Sequence, residues 1–289
     1  MSPERLLPLR KAISPGLEVS RYLPHAQRRM VGPFIFFDHA GPVTLPAPVP
    51  LELDVRPHPH IGLSTLTYLF AGEWLHRDSE GHTQIIQPDA VNWMTAGRGI
   101  THSERISPPF RAAGGLLDLI QMWVALPTEQ EEVAPSFHHF PREALPEERA
   151  PGRWLRLVAG EAYGLRSPVP VYSPLFFVHA TLEAGARLAL PTGHSERAVF
   201  VRSGQLAWSQ AALGQGDFLC LDAAATGDLV ARTACTLCLL GGEPVGPRHI
   251  WWNFVSSSRE RIAAAAADWR EKRFPMPVND TEAFIPLPD

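Results

Sequence analysis

Ser64-Thr65-Leu66-Thr67-Tyr68-Leu69-Phe70 is a run of β-branched, aromatic and leucine side chains that stops at Ala71-Gly72, and it decides the fold class of this chain. Such residues favour a pleated, half-buried strand, and glycine after them marks a turn. The pattern repeats outward, because Phe34 to Phe37, Thr83 to Ile86, Val91 to Met94 and Leu117 to Leu126 read as further strands. Turn signals at Asp78-Ser79-Glu80-Gly81 and Gln87-Pro88-Asp89 separate them. Short strands spaced at about ten residues predict an all-β sandwich or barrel.

Farther along, Thr128 to Pro151 is rich in glutamate and proline and poor in apolar residues. Strand signals resume at Trp154 to Val158, Leu175 to Leu182, Ala198 to Val201, Phe218 to Leu221 and Thr236 to Leu240. The expected division is therefore an N-terminal barrel over 1–130, a linker over 131–152 and a second barrel over 153–289. The halves resemble each other locally. Tyr68-Leu69-Phe70-Ala71-Gly72-Glu73 is similar to Phe200-Val201-Arg202-Ser203-Gly204-Gln205, and Pro88-Asp89-Ala90-Val91 to Gly216-Asp217-Phe218-Leu219. Two matches at a similar offset suggest a duplicated β domain. Ser257 followed by Glu260 forms a capping box, and Ile262, Ala266 and Trp269 mark one face of a terminal helix that stops before Pro275, belongs to the C-terminal segment and is expected to pack on the barrels.

The chain has 289 residues, 45% hydrophobic and 19% charged, with a formal net charge of -4, which is enough for two cores and argues against direct nucleic-acid binding. Neither a secretory signal nor an apolar run of membrane-spanning length is visible. Cys220, Cys235 and Cys238 are too few and odd in number for a disulfide framework, so a reducing cytoplasm is the expected location. Cys235 and Cys238 stand at i and i+3 in an apolar strand pattern, where they face opposite ways, so structural thiols are expected rather than a redox or zinc pair.

Arg56-Pro57-His58-Pro59-His60 holds two imidazoles at i and i+2, which a strand sends to the same face. Alone, such a pair is ordinarily a surface feature. Thr101-His102-Ser103-Glu104, after the turn Gly97-Arg98-Gly99, repeats the spacing with an imidazole and a carboxylate. Brought together in a barrel, the two dyads offer His58, His60, His102 and Glu104 to one divalent first-row transition metal. The buried carboxylate would need such a cation. In six-coordinate geometry, two positions stay open for water, dioxygen or substrate.

At these residues the sequence resembles the pirin family of the cupin superfamily. The likeness runs through His58-Pro59-His60-Ile61-Gly62-Leu63-Ser64-Thr65-Leu66-Thr67-Tyr68, His76-Arg77-Asp78-Ser79-Glu80-Gly81, the run from Trp93 to Glu104, and Gln121-Met122-Trp123-Val124-Ala125-Leu126-Pro127, with a weaker match at Trp251-Trp252-Asn253-Phe254. The resemblance implies two antiparallel cupin barrels, a bicupin, with one metal in the N-terminal barrel on His58, His60, His102 and Glu104. Iron is the family's usual metal, with Zn, Mn, Ni, Cu or Co as alternatives. Some bacterial pirins open the flavonol quercetin with dioxygen, and others are described as regulators that bind transcription factors. Pirins often carry glutamate where this chain has Ser64, so Glu104 is expected as the sole carboxylate, with a hydroxyl or water taking any proton-handling role at position 64.

The remaining candidates have plainer readings. His138 and His139 are adjacent and read as linker residues, while His76 and His82 bracket a hairpin turn and read as exposed or rim residues. Arg77 and Asp78 could form a turn-stabilising pair. Trp93, Met94 and Trp123 belong to strands that should line the first barrel, and His39 lies near its mouth or in a loop. Aligning Gly72 with Gly204 sets Leu190 and Thr192 opposite His58 and His60, leaving His194 the lone histidine at that turn, so the second barrel is expected to be metal-free. Two functions follow: a metal-dependent dioxygenase acting on a small aromatic enol, with Glu104 as base, or a non-catalytic metal or redox sensor acting through a protein partner. A sugar-type isomerase is the weaker third reading, because no basic phosphate grip stands out.

Overall fold

Leu63–Ala71 runs near the middle of a seven-stranded sheet in the computed structural model, which describes residues 3–14 and 16–288. The strand order is Ser136–Phe140, Val91–Thr95, Leu63–Ala71, Gly115–Ala125, Phe34–Leu45, Leu17–Leu23 and Leu9–Ser14. A four-stranded sheet in the order Val55–His60, Ile100–Ile106, Trp74–Asp78 and Thr83–Ile86 completes this barrel. Leu63 to Tyr68 and Leu117 to Ile120 are buried residue after residue, as strands covered on both faces must be.

The sequence alternation is read out physically in the barrel interior. At one end Leu17, Val19, Ala40, Leu69, Trp74, Ile86, Ile106 and Leu119 form one apolar cluster. Two residues along the same strands, on the same face, stand Thr67, His76, Glu104 and Gln121. One end of the barrel is thus packed hydrocarbon and the other is polar.

The second unit repeats this plan. Its four-stranded sheet runs Arg187–Ala189, Asp228–Ala231, Gln205–Trp208 and Ala211–Gly214. Its larger sheet follows the path Glu4–Leu6, Phe218–Asp222, Glu196–Ser203, Cys235–Gly242, Leu175–Leu182, Arg153–Ala162 and Glu147–Ala150, with Leu165–Arg166 paired to its side. Apart from the edge strands Ser136–Phe140 and Glu4–Leu6, which come from non-equivalent parts of the chain, and the added Leu165–Arg166, the order matches the first unit, as a duplicated domain requires. Gly72 and Gly204 both take positive φ, +89° and +83°, at equivalent turns. The cysteines are buried thiols, with Cys235 in the apolar core of this unit.

The compact units do not follow the expected division. One comprises Met1–Leu9, Tyr22–Ile35 and Glu143–Pro244, and the other comprises Arg10–Arg21, Phe36–Arg142 and Val245–Asp289. Ser136–Phe140, expected within a linker, is an edge strand paired with Val91–Thr95. The terminal helix, Arg259–Arg270, packs with the first barrel through Ile262, Ala265, Ala266 and Trp269 against Ile61 and Phe254. Its cap is Ser258, whose hydroxyl accepts from the Arg261 amide, one residue past the expected Ser257. Ser257 instead donates its amide and hydroxyl to Glu131.

Gly62 permits the C-terminal segment to approach. At φ +67° it is in a region L side chains avoid, and a Cβ there would lie 2.0 Å from the Val255 carbonyl oxygen. The bare backbone allows Ile61 to bridge Phe254 directly beyond the His58–His60 dyad.

Candidate metal centre

Val55–His60 and Ile100–Ile106 pair antiparallel with His102 opposite His58, so both dyads point into the polar end of the barrel. One ligand nitrogen from each of His58, His60 and His102 lies within 4.8 Å of the other two. The ring centroids of His58 and His102 are 4.4 Å apart, and each lies 5.0 Å from that of His60. All three side chains are buried. Burial lowers the His58 pKa to about 4 and holds His60 and His102 well below the usual imidazole range, so the rings are neutral and present lone pairs.

The tautomers are directed by hydrogen bonds. His58 Nδ1 donates to the Arg56 carbonyl at 2.8 Å and His60 Nδ1 to the Asn253 carbonyl at 2.9 Å, which leaves Nε2 of each for a ligand. His102 Nε2 is buried without a hydrogen-bond partner. A buried, unpartnered imidazole nitrogen beside two others costs stability unless a cation meets it. The donor set therefore fits a divalent transition metal.

Glu104 does not join the set formed by the three imidazoles. The pairing register with Val55–His60 shifts between His102 and Glu104, although Glu104 keeps a regular place opposite His76 on the other side. Its Oε1 accepts from Thr67 Oγ1 at 3.4 Å. Burial, opposed by that bond, raises its pKa to about 7.

Around this centre the interior is aromatic. The Trp123 ring meets His60 edge-on at 5.1 Å and stacks on Phe36 at 4.1 Å. The Arg21 guanidinium lies 4.3 Å over Phe36 and forms a bidentate pair with Asp38, at 2.8 and 2.7 Å. Phe137 stacks on His76 at 4.2 Å, and His139, on the same face of its strand, bonds Asn92 at 2.7 Å. Both come from the segment expected to be linker.

The strand pairing sorts the other expected residues. Trp123 and Met94 both oppose Thr65, on the face that carries Thr67 and meets His60. Trp93 opposes Leu66, and Ser64 bonds Thr95 at 3.0 Å, both on the reverse face. Ser64 is therefore turned away from Glu104, and the hydroxyl that reaches the carboxylate is that of Thr67. His39 is a buried partner of Asp118, at 2.9 Å.

His76, expected at the rim, is only 4% exposed and lies on the strand beside His102. Its Nε2 bonds Asp78 Oδ2 at 2.9 Å, and Asp78 also accepts the amides of Glu80 and His82. Burial works to raise the Asp78 pKa, but the His76 and His82 hydrogen bonds hold it below the ordinary carboxylate range. His76 and Asp78 have the same i, i+2 spacing as the two dyads, which is the signal that marks them as inward-facing. Nothing local in the sequence points to the Asn253 carbonyl.

In the second unit Arg187–Ala189 holds the place of Val55–His60, and Leu190 beyond it is a core residue. Among the described residues, no helix is long and apolar enough to cross a membrane.

Comparison with known proteins agrees with this layout. The family model described as Pirin matches residues 16–124, and the one described as Pirin C-terminal cupin domain matches residues 177–275. A pirin-like protein of Caulobacter vibrioides is 52% identical over 275 residues, covering 95% of each chain. A crystal structure of quercetin 2,3-dioxygenase from Acinetobacter baumannii has a TM-score of 0.91 at 32% identity and covers 99% of this chain and 95% of its own. A second structure of that description, also from Acinetobacter baumannii, has a TM-score of 0.88 at 25% identity, over 94% of this chain and 97% of its own.

Proposed function

Because this chain belongs to the pirin family of bicupins, we propose that it is a metal-dependent dioxygenase of a small aromatic enol of the flavonol class, with iron as its metal. The observation that carries this reading is the convergence of three neutral, buried imidazoles beside an aromatic wall. His58, His60 and His102 would hold the metal through Nε2, and Glu104 would supply the fourth donor by swinging from Thr67. When bound, the metal supplies Lewis acidity toward an enol hydroxyl and redox capacity toward dioxygen.

The other tasks fall to the protein. Trp123, backed by Phe36, and Phe137 are the flat apolar groups available to a planar substrate. Glu104 is the carboxylate placed to take the enol proton and return it to product. Thr67 Oγ1, whose single proton is shared between Glu104 Oε1 at 3.4 Å and Gln121 Oε1 at 2.9 Å, keeps the carboxyl oriented. A cytoplasmic location fits these reduced thiols.

The test is dioxygen uptake by iron-loaded protein across a small panel of flavonols, with zinc-loaded protein as the redox-inert control. Uptake with iron and none with zinc supports the proposal. Iron-loaded protein that consumes no dioxygen with any flavonol overturns it in favour of a non-catalytic metal sensor with a protein partner.

A further inference from the structure

The three imidazoles are not held alike. His58 and His60 each give the Nδ1 proton to a backbone carbonyl, a group that can only accept, so their tautomers are imposed directly. His102 Nδ1 instead lies 3.5 Å from Nδ1 of His76, which can donate or accept. Its role is decided one residue farther out. His76 Nε2 stands 2.9 Å from Asp78 Oδ2, and a carboxylate there only accepts. His76 therefore carries its proton on Nε2 and offers a lone pair at Nδ1. His102 must then carry its proton on Nδ1, which frees Nε2, the buried atom without a partner.

From this chain of donors we infer that Asp78 and His76 are positioning residues that set the tautomer of His102 and so decide whether it can ligate a metal. The inference rests on reading the three imidazoles as a metal site. Phe137, stacked on His76 at 4.2 Å and 13°, fixes the ring in the plane this requires. The polarity of the relay cannot easily reverse, because Asp78 Oδ1 is tied to the backbone amides of Glu80 and His82 at 3.0 Å each.

That anchoring makes Asp78→Asn informative. The amide oxygen would stay with the two backbone N–H groups, leaving the NH₂ to donate toward His76 Nε2. His76 would move its proton to Nδ1, where it meets the Nδ1 proton of His102. His102 must then take the other tautomer and lose its ligand lone pair. In His76→Leu the acceptor is lost outright. In His76→Asn a carbonyl oxygen can stand where Nδ1 stood, so this conservative change restores the acceptor.

The experiment is a competitive zinc titration against a chelator for wild type, Asp78→Asn, His76→Leu and His76→Asn, with ¹⁵N shifts of the histidine rings in the zinc-loaded, full-length protein. Loss of an outer partner of this kind typically weakens metal affinity about 10- to 100-fold. That loss is expected for Asp78→Asn and His76→Leu, with His76→Asn recovering most of it, and with His102 protonated at Nδ1 in wild type. Zinc affinity within twofold of wild type in both Asp78→Asn and His76→Leu overturns the inference, as does a wild-type His102 protonated at Nε2. Wild-type protein that binds no zinc would instead overturn the metal reading beneath it. If Asp78→Asn fails to fold, the contrast between the two His76 variants still decides.

Discussion

His60 and Asn253 are joined by a hydrogen bond across 193 positions of sequence, the imidazole Nδ1 donating to the backbone carbonyl at 2.9 Å. Through it the C-terminal segment orients one of the three clustered imidazoles. The same segment grips the neighbouring strand: Asp280 accepts from Ser103 Oγ at 2.5 Å and Arg105 Nε at 2.6 Å, on either side of Glu104.

Asp280→Ala should therefore destabilise the protein by about 2 to 3 kcal/mol, because it leaves buried Ser103 without its acceptor and removes a charged partner of Arg105. Urea unfolding of the metal-free protein measures this. A change below about 0.5 kcal/mol, the range of ordinary surface substitutions, would show that the tail contributes little.

His60→Ala should abolish metal binding and leave the fold intact, since the barrel core is a separate apolar cluster that excludes His60. Elemental analysis should find one metal per wild-type chain and none in the variant, with unchanged far-ultraviolet circular dichroism. Two tightly held metals per wild-type chain would contradict the single centre.

Glu104→Gln keeps the shape of the side chain while removing its charge and its ability to accept a proton. Metal affinity should fall, because three neutral imidazoles do not offset a dication. Activity per bound metal should drop by roughly 10² to 10⁴-fold, the range for a lost acid or base. Equal turnover by fully loaded variant and wild type would leave Glu104 as a ligand without a proton-transfer role.

The same substitution predicts a pH effect in the metal-free protein. Burial, opposed by the Thr67 hydrogen bond, raises the Glu104 pKa from 4.5 to about 7. Between these values the folded chain keeps a proton that the unfolded chain has released. Its contribution to stability is thus present below about pH 4.5 and lost as pH rises to about 7, a loss on the order of 3 kcal/mol. His58, lowered by burial to about 4, acts in the opposite sense but equally in both proteins. Unfolding free energies in the presence of chelator should therefore shift in favour of Glu104→Gln from about pH 5 to about pH 7.5. A difference that does not vary with pH would refute the shifted carboxyl.

Much of the centre is legible along the chain, because strand geometry is local. Residues at i and i+2 share a face, so His58 with His60 and His102 with Glu104 follow from spacing once the strands are recognised. The alternating runs around Ser64 to Phe70 and the paired glycine turns likewise carry the two-barrel plan. What tertiary structure decided is everything that depends on which distant groups meet. The local sequence cannot specify that Asn253 receives the His60 proton, that Phe137 closes over His76, or that the terminal helix packs on Ile61 and Phe254. His76 shows the reason most clearly. A histidine before a turn suits solvent or interior equally, and it became an interior residue because His102, Asp78 and Phe137, from three different strands, supply its hydrogen bonds and its stacking partner.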